Sequence, residues 1–261
     1  MTADPPWWSC RMPALPAVPG RCWCSRASPW RTGTHRPWAV AAALGYKRYL
    51  RDYTVYQVAR RRGLAAGATT RDMAADYARW AQGRFDGPVD VVGFSTGGEI
   101  AQYLAADHGQ VVGRLVLSDT GCRVGEDAKA LLRAARDKAA SGRAAEAQAD
   151  VAAHMDFGRL GGWLVRLLGK RMMKEPGDPS DYIATLDADL AHDATQVLPK
   201  INAPTLVIAG TRDFFYPEPI LRETAERIPD ATLRLYDGVG HPVGKTRKRR
   251  FEDDLLDYLG G

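Results

Sequence analysis

The chain has few of the residues that build metal or disulfide frameworks: four cysteines and five histidines among 261 residues. Cys22-Trp23-Cys24 has a single intervening residue, and no second Cys/His pair follows at zinc-site spacing. No metal, cofactor or oxidising compartment is therefore expected. Long apolar runs are missing too. No stretch approaches the roughly 18 apolar residues of a membrane span, and prolines and arginines occupy the N-terminal region where a secretory signal would be continuously apolar. The expectation is a cytoplasmic protein with no membrane partner. There are no internal repeats and no low-complexity tracts.

A basic partner-binding surface is not indicated either, although the formal charge is +5. Residues 1–62 carry eleven Lys/Arg and two Asp, a balance of +9, and the remainder is mildly acidic at −4. The positive charge belongs to one end rather than to a patch on a recognised binding fold, so no nucleic-acid partner is expected. The run Lys245-Thr246-Arg247-Lys248-Arg249-Arg250 reads as the solvated start of a last helix, with Phe251, Leu255, Leu256 and Leu259 on its apolar face.

From about residue 46 onward, strand and helix patterns alternate. Strands are expected at 53–59, 89–92, 111–117, 204–210 and 231–236. Helices are expected at 70–81, 217–228 and 247–259, the first opened by Thr69 and Asp72 as a capping box. Between 121 and 198 the pattern is helical with no convincing strand. The fold class implied is α/β: a mostly parallel, doubly wound sheet with helices on both faces and an inserted helical cap. The domain plan is 1–45 irregular, 46–120 core, 121–198 cap and 199–261 core. Residues 1–45 hold five of the seven tryptophans and seven of the sixteen prolines with no regular period, so that segment is expected to be poorly ordered, with early strands missing or degraded. A frame slip or misplaced start is one account of it.

The segment Val89-Asp90-Val91-Val92-Gly93-Phe94-Ser95-Thr96-Gly97-Gly98 carries the chemistry. It is a β-branched run ending in Gly-x-Ser-x-Gly and opening into a helix. That turn extrudes a hydroxyl and aims a helix N-terminus at it, which suits a nucleophile beside developing negative charge. A serine needs a base, and the base needs an orienting group. Asp213 follows the strand at 204–210, and His241 follows the strand at 231–236. Both fall in loops at the sheet edge that carries Ser95.

The order Ser95, Asp213, His241, together with Gly93-Phe94-Ser95-Thr96-Gly97, Gly210-Thr211-Arg212-Asp213 and Gly240-His241-Pro242, resembles the α/β-hydrolase fold family across about residues 46–261. The resemblance implies Ser95 as nucleophile, Asp213 as orienting acid, His241 as general base and the Thr96 N–H as half of an oxyanion hole. Asp119, at the end of the preceding strand, is the alternative acid. The reaction implied is hydrolysis of a carboxylic ester, thioester or lactone on a small-molecule acyl substrate. Alternatives on the same triad are acyl transfer and cofactor-free haloperoxidase or perhydrolase chemistry. A third is a non-catalytic relic with an incomplete oxyanion hole. The family's second oxyanion donor lies after an early strand, commonly at His-Gly or Pro-Gly. Here His108-Gly109 falls after the elbow, and only residues 14–20, closing on Pro19-Gly20, resemble such a strand and loop. The plainer readings are a structural turn at Ser95, a helix-capping acid at Asp213 and a backbone-bonded histidine at His241. His35, His108, His154 and His192 read as structural or solvated. Met155, Phe157, Trp163, Leu164, Met172 and Met173 read as cap packing or the lining of an apolar pocket.

Overall fold

The computed structural model describes residues 22–24, 46–156, 161, 165, 168, 173 and 176–260. Its elements in chain order are β1 (Cys22–Cys24), β2 (Thr54–Tyr56), α1 (Thr70–Gln82), β3 (Val89–Phe94), α2 (Thr96–Asp107), β4 (Val112–Ser118), α3 (Glu126–Ala140), α4 (Ala144–Ala152), α5 (Ser180–Ala191), β5 (Thr205–Gly210), α6 (Glu218–Arg227), β6 (Ala231–Tyr236), α7 (Val243–Thr246) and α8 (Lys248–Gly260). Strands β3, β4, β5 and β6 form one parallel sheet in that order. Parallel strands joined by helical crossovers are covered on both faces and so consist of nearly continuous apolar runs. Every residue of β5 is buried.

Side-chain alternation divides this sheet between two cores. Val89, Val91, Leu115, Leu117 and Val207 face α1 and α2, through Met73, Ala74, Ile100 and Leu104. Val92, Val116, Leu206 and Ile208 face the other way, against Tyr49, Tyr53, Val243, Phe251, Leu255 and Leu259. The expected apolar face of the last helix is therefore seated, with Leu256 partly buried beside it. Helix α1 starts where the capping box places it: the Thr69 Oγ1 accepts the Asp72 N–H at 3.1 Å and the Asp72 carboxylate accepts the Thr69 N–H at 2.9 Å.

Residues 53–59 form less strand than their pattern suggests, only Thr54–Tyr56. Of the segment 1–45, expected to be irregular, only Cys22–Cys24 is described. Cys22–Cys24 pairs in parallel with β2, Trp23 opposite Val55, and lies against β3. A backbone ladder needs no side-chain period, which is why the pattern gave no sign of it. This strand follows Pro19-Gly20 rather than preceding it. Residues 1–21 and 25–45 lie outside the described residues, as do Phe157, Trp163, Leu164 and Met172.

Between β4 and β5 the described chain is helical. Leu132, Ala135, Ala139, Ala144, Ala147, Tyr182 and Leu186 of α3, α4 and α5 pack on Phe215, Tyr216 and Leu221, beyond the C-terminal end of β5. The two ends of this insertion meet. Arg123 and Asp193 form an antiparallel bridge, and the Ala194 N–H donates to the Cys122 carbonyl at 2.8 Å. Among the described residues, no helix is long and apolar enough to cross a membrane.

Candidate active site

Ser95 sits between the end of β3 and the first residue of α2, with φ 51° and ψ −127°. A non-glycine residue at positive φ is strained and persists only where its surroundings enforce it. They do so here. The Ser95 N–H is held by the Ser118 carbonyl of β4 at 3.0 Å, and its own carbonyl accepts the N–H groups of Gly98 at 2.7 Å and Glu99 at 3.2 Å. The turn also leaves no space for side chains beside it. A Cβ on Gly93 would lie 2.6 Å from the Gly97 carbonyl oxygen, and one on Gly98 would lie 2.2 Å from a methyl of Thr120. Gly93 and Gly98 are thus packing requirements of this turn, which leaves the Thr96 N–H in the first turn of α2, where backbone donors have no helical partner.

Asp213 and His241 are brought together. The Asp213 Oδ2 lies 2.8 Å from the His241 Nδ1. Asp213 Oδ1 accepts the N–H groups of Phe215 at 2.8 Å and Tyr216 at 3.0 Å. Both side chains are buried, and the rings of Phe215 and Tyr216 flank the imidazole at 5.0 and 6.3 Å. A carboxylate that accepts from Nδ1 fixes the histidine with its proton on that nitrogen and leaves Nε2 as the basic atom. The His241–Pro242 peptide is cis.

Asp119 belongs to the same cluster, since its carboxylate, that of Asp213 and the imidazole place ligating atoms within 4.8 Å of one another. Like Ser95 it has φ 51°. Its oxygens accept the Ser118 hydroxyl at 2.7 Å and the Val243 N–H at 2.9 Å. Burial, the largest influence, pushes its pKa up to about 6, against the opposing charge of His241. Three such groups could geometrically surround a cation, but their donor atoms are engaged with one another and with backbone. Asp213, not Asp119, makes the direct bond to the imidazole.

The other described histidines lie outside this cluster. His192 is buried, its Nδ1 3.1 Å from the Thr70 hydroxyl and its Nε2 3.3 Å from the Gly121 carbonyl. Burial lowers its pKa to about 4, so it is neutral. His154 stacks its ring 4.5 Å from Phe214, and His108 caps the C-terminus of α2.

Sequence reasoning did not single out Asp156. Its carboxylate accepts the Gly240 N–H at 3.0 Å, and its own N–H donates to the His241 carbonyl. A Cβ on Gly240 would come within 3.0 Å of it. The insertion therefore grips the histidine loop directly. Nothing in the sequence around a lone aspartate four residues past the end of α4 marks that contact.

A family model described as the alpha/beta hydrolase fold matches residues 41–247. A candidate carbamate hydrolase, RutD, of Yersinia enterocolitica is 28% identical over 235 residues, 87% of this chain and 84% of that protein. A pimeloyl-[acyl-carrier protein] methyl ester esterase of Chromobacterium violaceum is 28% identical over 188 residues, 66% of this chain and 70% of its own. Among solved structures, the enol-lactonase from Burkholderia xenovorans LB400 superposes with a TM-score of 0.76 at 20% identity, covering 92% of each chain.

Proposed function

Because the chain belongs to the alpha/beta hydrolase fold family, we propose that it hydrolyses a carboxylic ester, thioester or lactone through Ser95, His241 and Asp213. The observation that carries this reading is the buried Asp213–His241 bond of 2.8 Å at the sheet edge that also bears the positive-φ serine. Asp213 holds Nδ1–H, so Nε2 of His241 accepts the Ser95 proton as Oγ bonds to the acyl carbon. The carbonyl π electrons move to oxygen, and the Thr96 N–H stabilises the resulting oxyanion. The tetrahedral intermediate collapses, the C–O or C–S bond to the leaving group breaks, and His241 returns its proton to that group. Water, deprotonated by the same imidazole, then attacks the acyl-enzyme and releases the acid and Ser95. The helices between β4 and β5 act as a cap, and the partly buried Met155 and Phe214, packed against its core, favour a small or medium apolar acyl chain. Similarity to a methyl ester esterase and to the fold of an enol-lactonase supports ester and lactone substrates.

Incubation with short-chain p-nitrophenyl esters and a fluorophosphonate probe tests the proposal. Hydrolysis and labelling that both vanish in Ser95→Ala support it. A folded chain that neither hydrolyses the esters nor takes the label returns the protein to the non-catalytic reading.

A further inference from the structure

Beneath the elbow lies a buried polar cluster that the reaction above does not use. Thr96 points its hydroxyl away from the helix axis and donates it to Asp189 Oδ2 at 3.1 Å, a contact spanning from the first residue of α2 to α5 of the insertion. Asp189 is buried against a second buried acid, Glu99, which lies one turn further along α2. Glu99 Oε1 accepts the Tyr216 hydroxyl at 2.7 Å. Glu99 Oε2 and Asp189 Oδ1 are buried with no N–H or O–H donor against them, yet the two carboxyls touch each other. Two facing carboxylates cannot both be ionised in a dry site, and one proton held between them satisfies both orphan oxygens. Burial, then the Asp189 charge, drives Glu99 well above the ordinary carboxylate range, and burial raises Asp189 as well, to about 6, so the pair shares a proton while Asp189 Oδ2 remains an acceptor for Thr96. Arg60, whose Nη1 is buried with no hydrogen-bond partner among the described residues, is a nearby positive charge that lowers both carboxyls without outweighing their burial, and His192 Nδ1, 4.0 Å from Glu99, is neutral.

We propose that Asp189 is a positioning residue for the oxyanion donor: by accepting the Thr96 hydroxyl it fixes the first peptide of α2 and locks the insertion onto the elbow. The inference rests on the serine-hydrolase reading. Thr96 is the residue whose N–H meets the oxyanion, and its side chain is its one tether outside α2 among the bonds described. An oxyanion donor acts only if it is held where the charge develops, before the charge develops. A tether from the cap does this at the cost of burying an acid, which Glu99 offsets by sharing a proton with it.

The test uses the full chain and a p-nitrophenyl ester. Thr96→Val removes the hydroxyl and keeps the backbone N–H and the side-chain shape. Asp189→Ala removes the acceptor. Loosening the donor rather than deleting it should lower kcat by about tenfold in each, with KM within about twofold, less than the 10²–10³ for losing a donor outright. Since both variants break one bond, the double variant should be no slower than the slower single one. Asp189→Asn keeps an oxygen for Thr96 and an N–H for Glu99, and should recover kcat to within about threefold of wild type. A double variant slowed by the product of the two single effects overturns the proposal, and so does wild-type kcat in Asp189→Ala. If Asp189→Ala does not fold, Thr96→Val decides: full kcat there overturns it. Wild-type activity in Ser95→Ala would sink the serine-hydrolase reading itself. Inactive Ser95→Ala beside a fully active Asp189→Ala would sink only the role of Asp189.

Discussion

Gly210→Ala puts a methyl group on the last residue of β5, where the two loops that carry Asp213 and His241 pass each other. The added Cβ would lie 2.0 Å from the Val239 carbonyl oxygen and 2.6 Å from its carbon, closer than the 3.0 Å limit of real Cβ contacts. Both neighbours are backbone, so no side chain can swing aside. The Val239 carbonyl is itself held by the Arg212 N–H at 2.9 Å, and Thr211 N–H is bound to Tyr236. Relief must therefore separate the acid loop from the histidine loop by about 1 Å, a misplacement that costs on the order of 10²-fold in rate. Overpacking of a fixed site costs about 3 kcal/mol at the upper end of the usual range. For a chain of this size that lowers the thermal midpoint by about 6–12 °C. The assay is a thermal melt paired with kcat/KM on a p-nitrophenyl ester. Gly109→Ala is the control, because a Cβ there meets nothing within 4 Å. A Gly210→Ala chain with the wild-type midpoint and rate would refute the steric reasoning, and a lowered midpoint at full rate would refute the link between this contact and the Asp213–His241 geometry.

Asp213→Asn keeps an acceptor for the Phe215 and Tyr216 N–H groups but loses the charge that fixes the His241 proton on Nδ1. kcat should fall by about 10⁴-fold, as for the equivalent change in a well-studied serine protease, with the fold intact by circular dichroism. Asp119 has a folded-state pKa of about 6 raised from 3.8. Its contribution to stability is fully present below pH 4 and is lost as pH rises through 6, a difference of about 3 kcal/mol between the ends of that window. Wild type should therefore lose stability relative to Asp119→Asn between pH 4 and 7 in denaturant titrations, and parallel pH profiles would count against the buried assignment. Thr69→Ala removes one half of the α1 capping box and should lower stability by about 1 kcal/mol in the same titration, leaving ester hydrolysis unchanged.

What could be read from the chain, and what could not, divides along the range of the forces involved. Local signals carried: Thr69 and Asp72 opened α1, Gly93 and Gly98 made room beside the strained serine, and continuous apolar runs marked β3, β4 and β5. The pairing of Asp213 with His241 followed from topology, because two loops after parallel strands share one edge of the sheet. Glu99 was hidden. An acid in the first turn of a helix is what a solvated, dipole-favoured position looks like, and only the arrival of Tyr216 and Asp189 from distant parts of the chain buries it. Asp156 and Asp189 were hidden for the same reason, as polar residues, one past the end of α4 and one on α5, whose partners lie 84 and 93 positions away. β1 was unreadable because three residues held by ladder bonds leave no periodicity.

The bridge between Arg123 and Asp193 has a meaning for how this scaffold changes over evolution. The chain departs from β4 and comes back to its immediate neighbour β5 through a neck whose two sides are pinned together. The sheet is therefore blind to how much polypeptide lies beyond the neck, and the entropy of closing that excursion grows only logarithmically with its length. Recombination or engineering could exchange everything past this point for another helical set, and so alter which molecules are admitted, while Ser95, Asp213 and His241 stay on an unaltered frame. The limit on such an exchange is written in the two aspartates that reach back: a graft that does not bring counterparts of Asp156 and Asp189 would arrive with the right ends and the wrong grip.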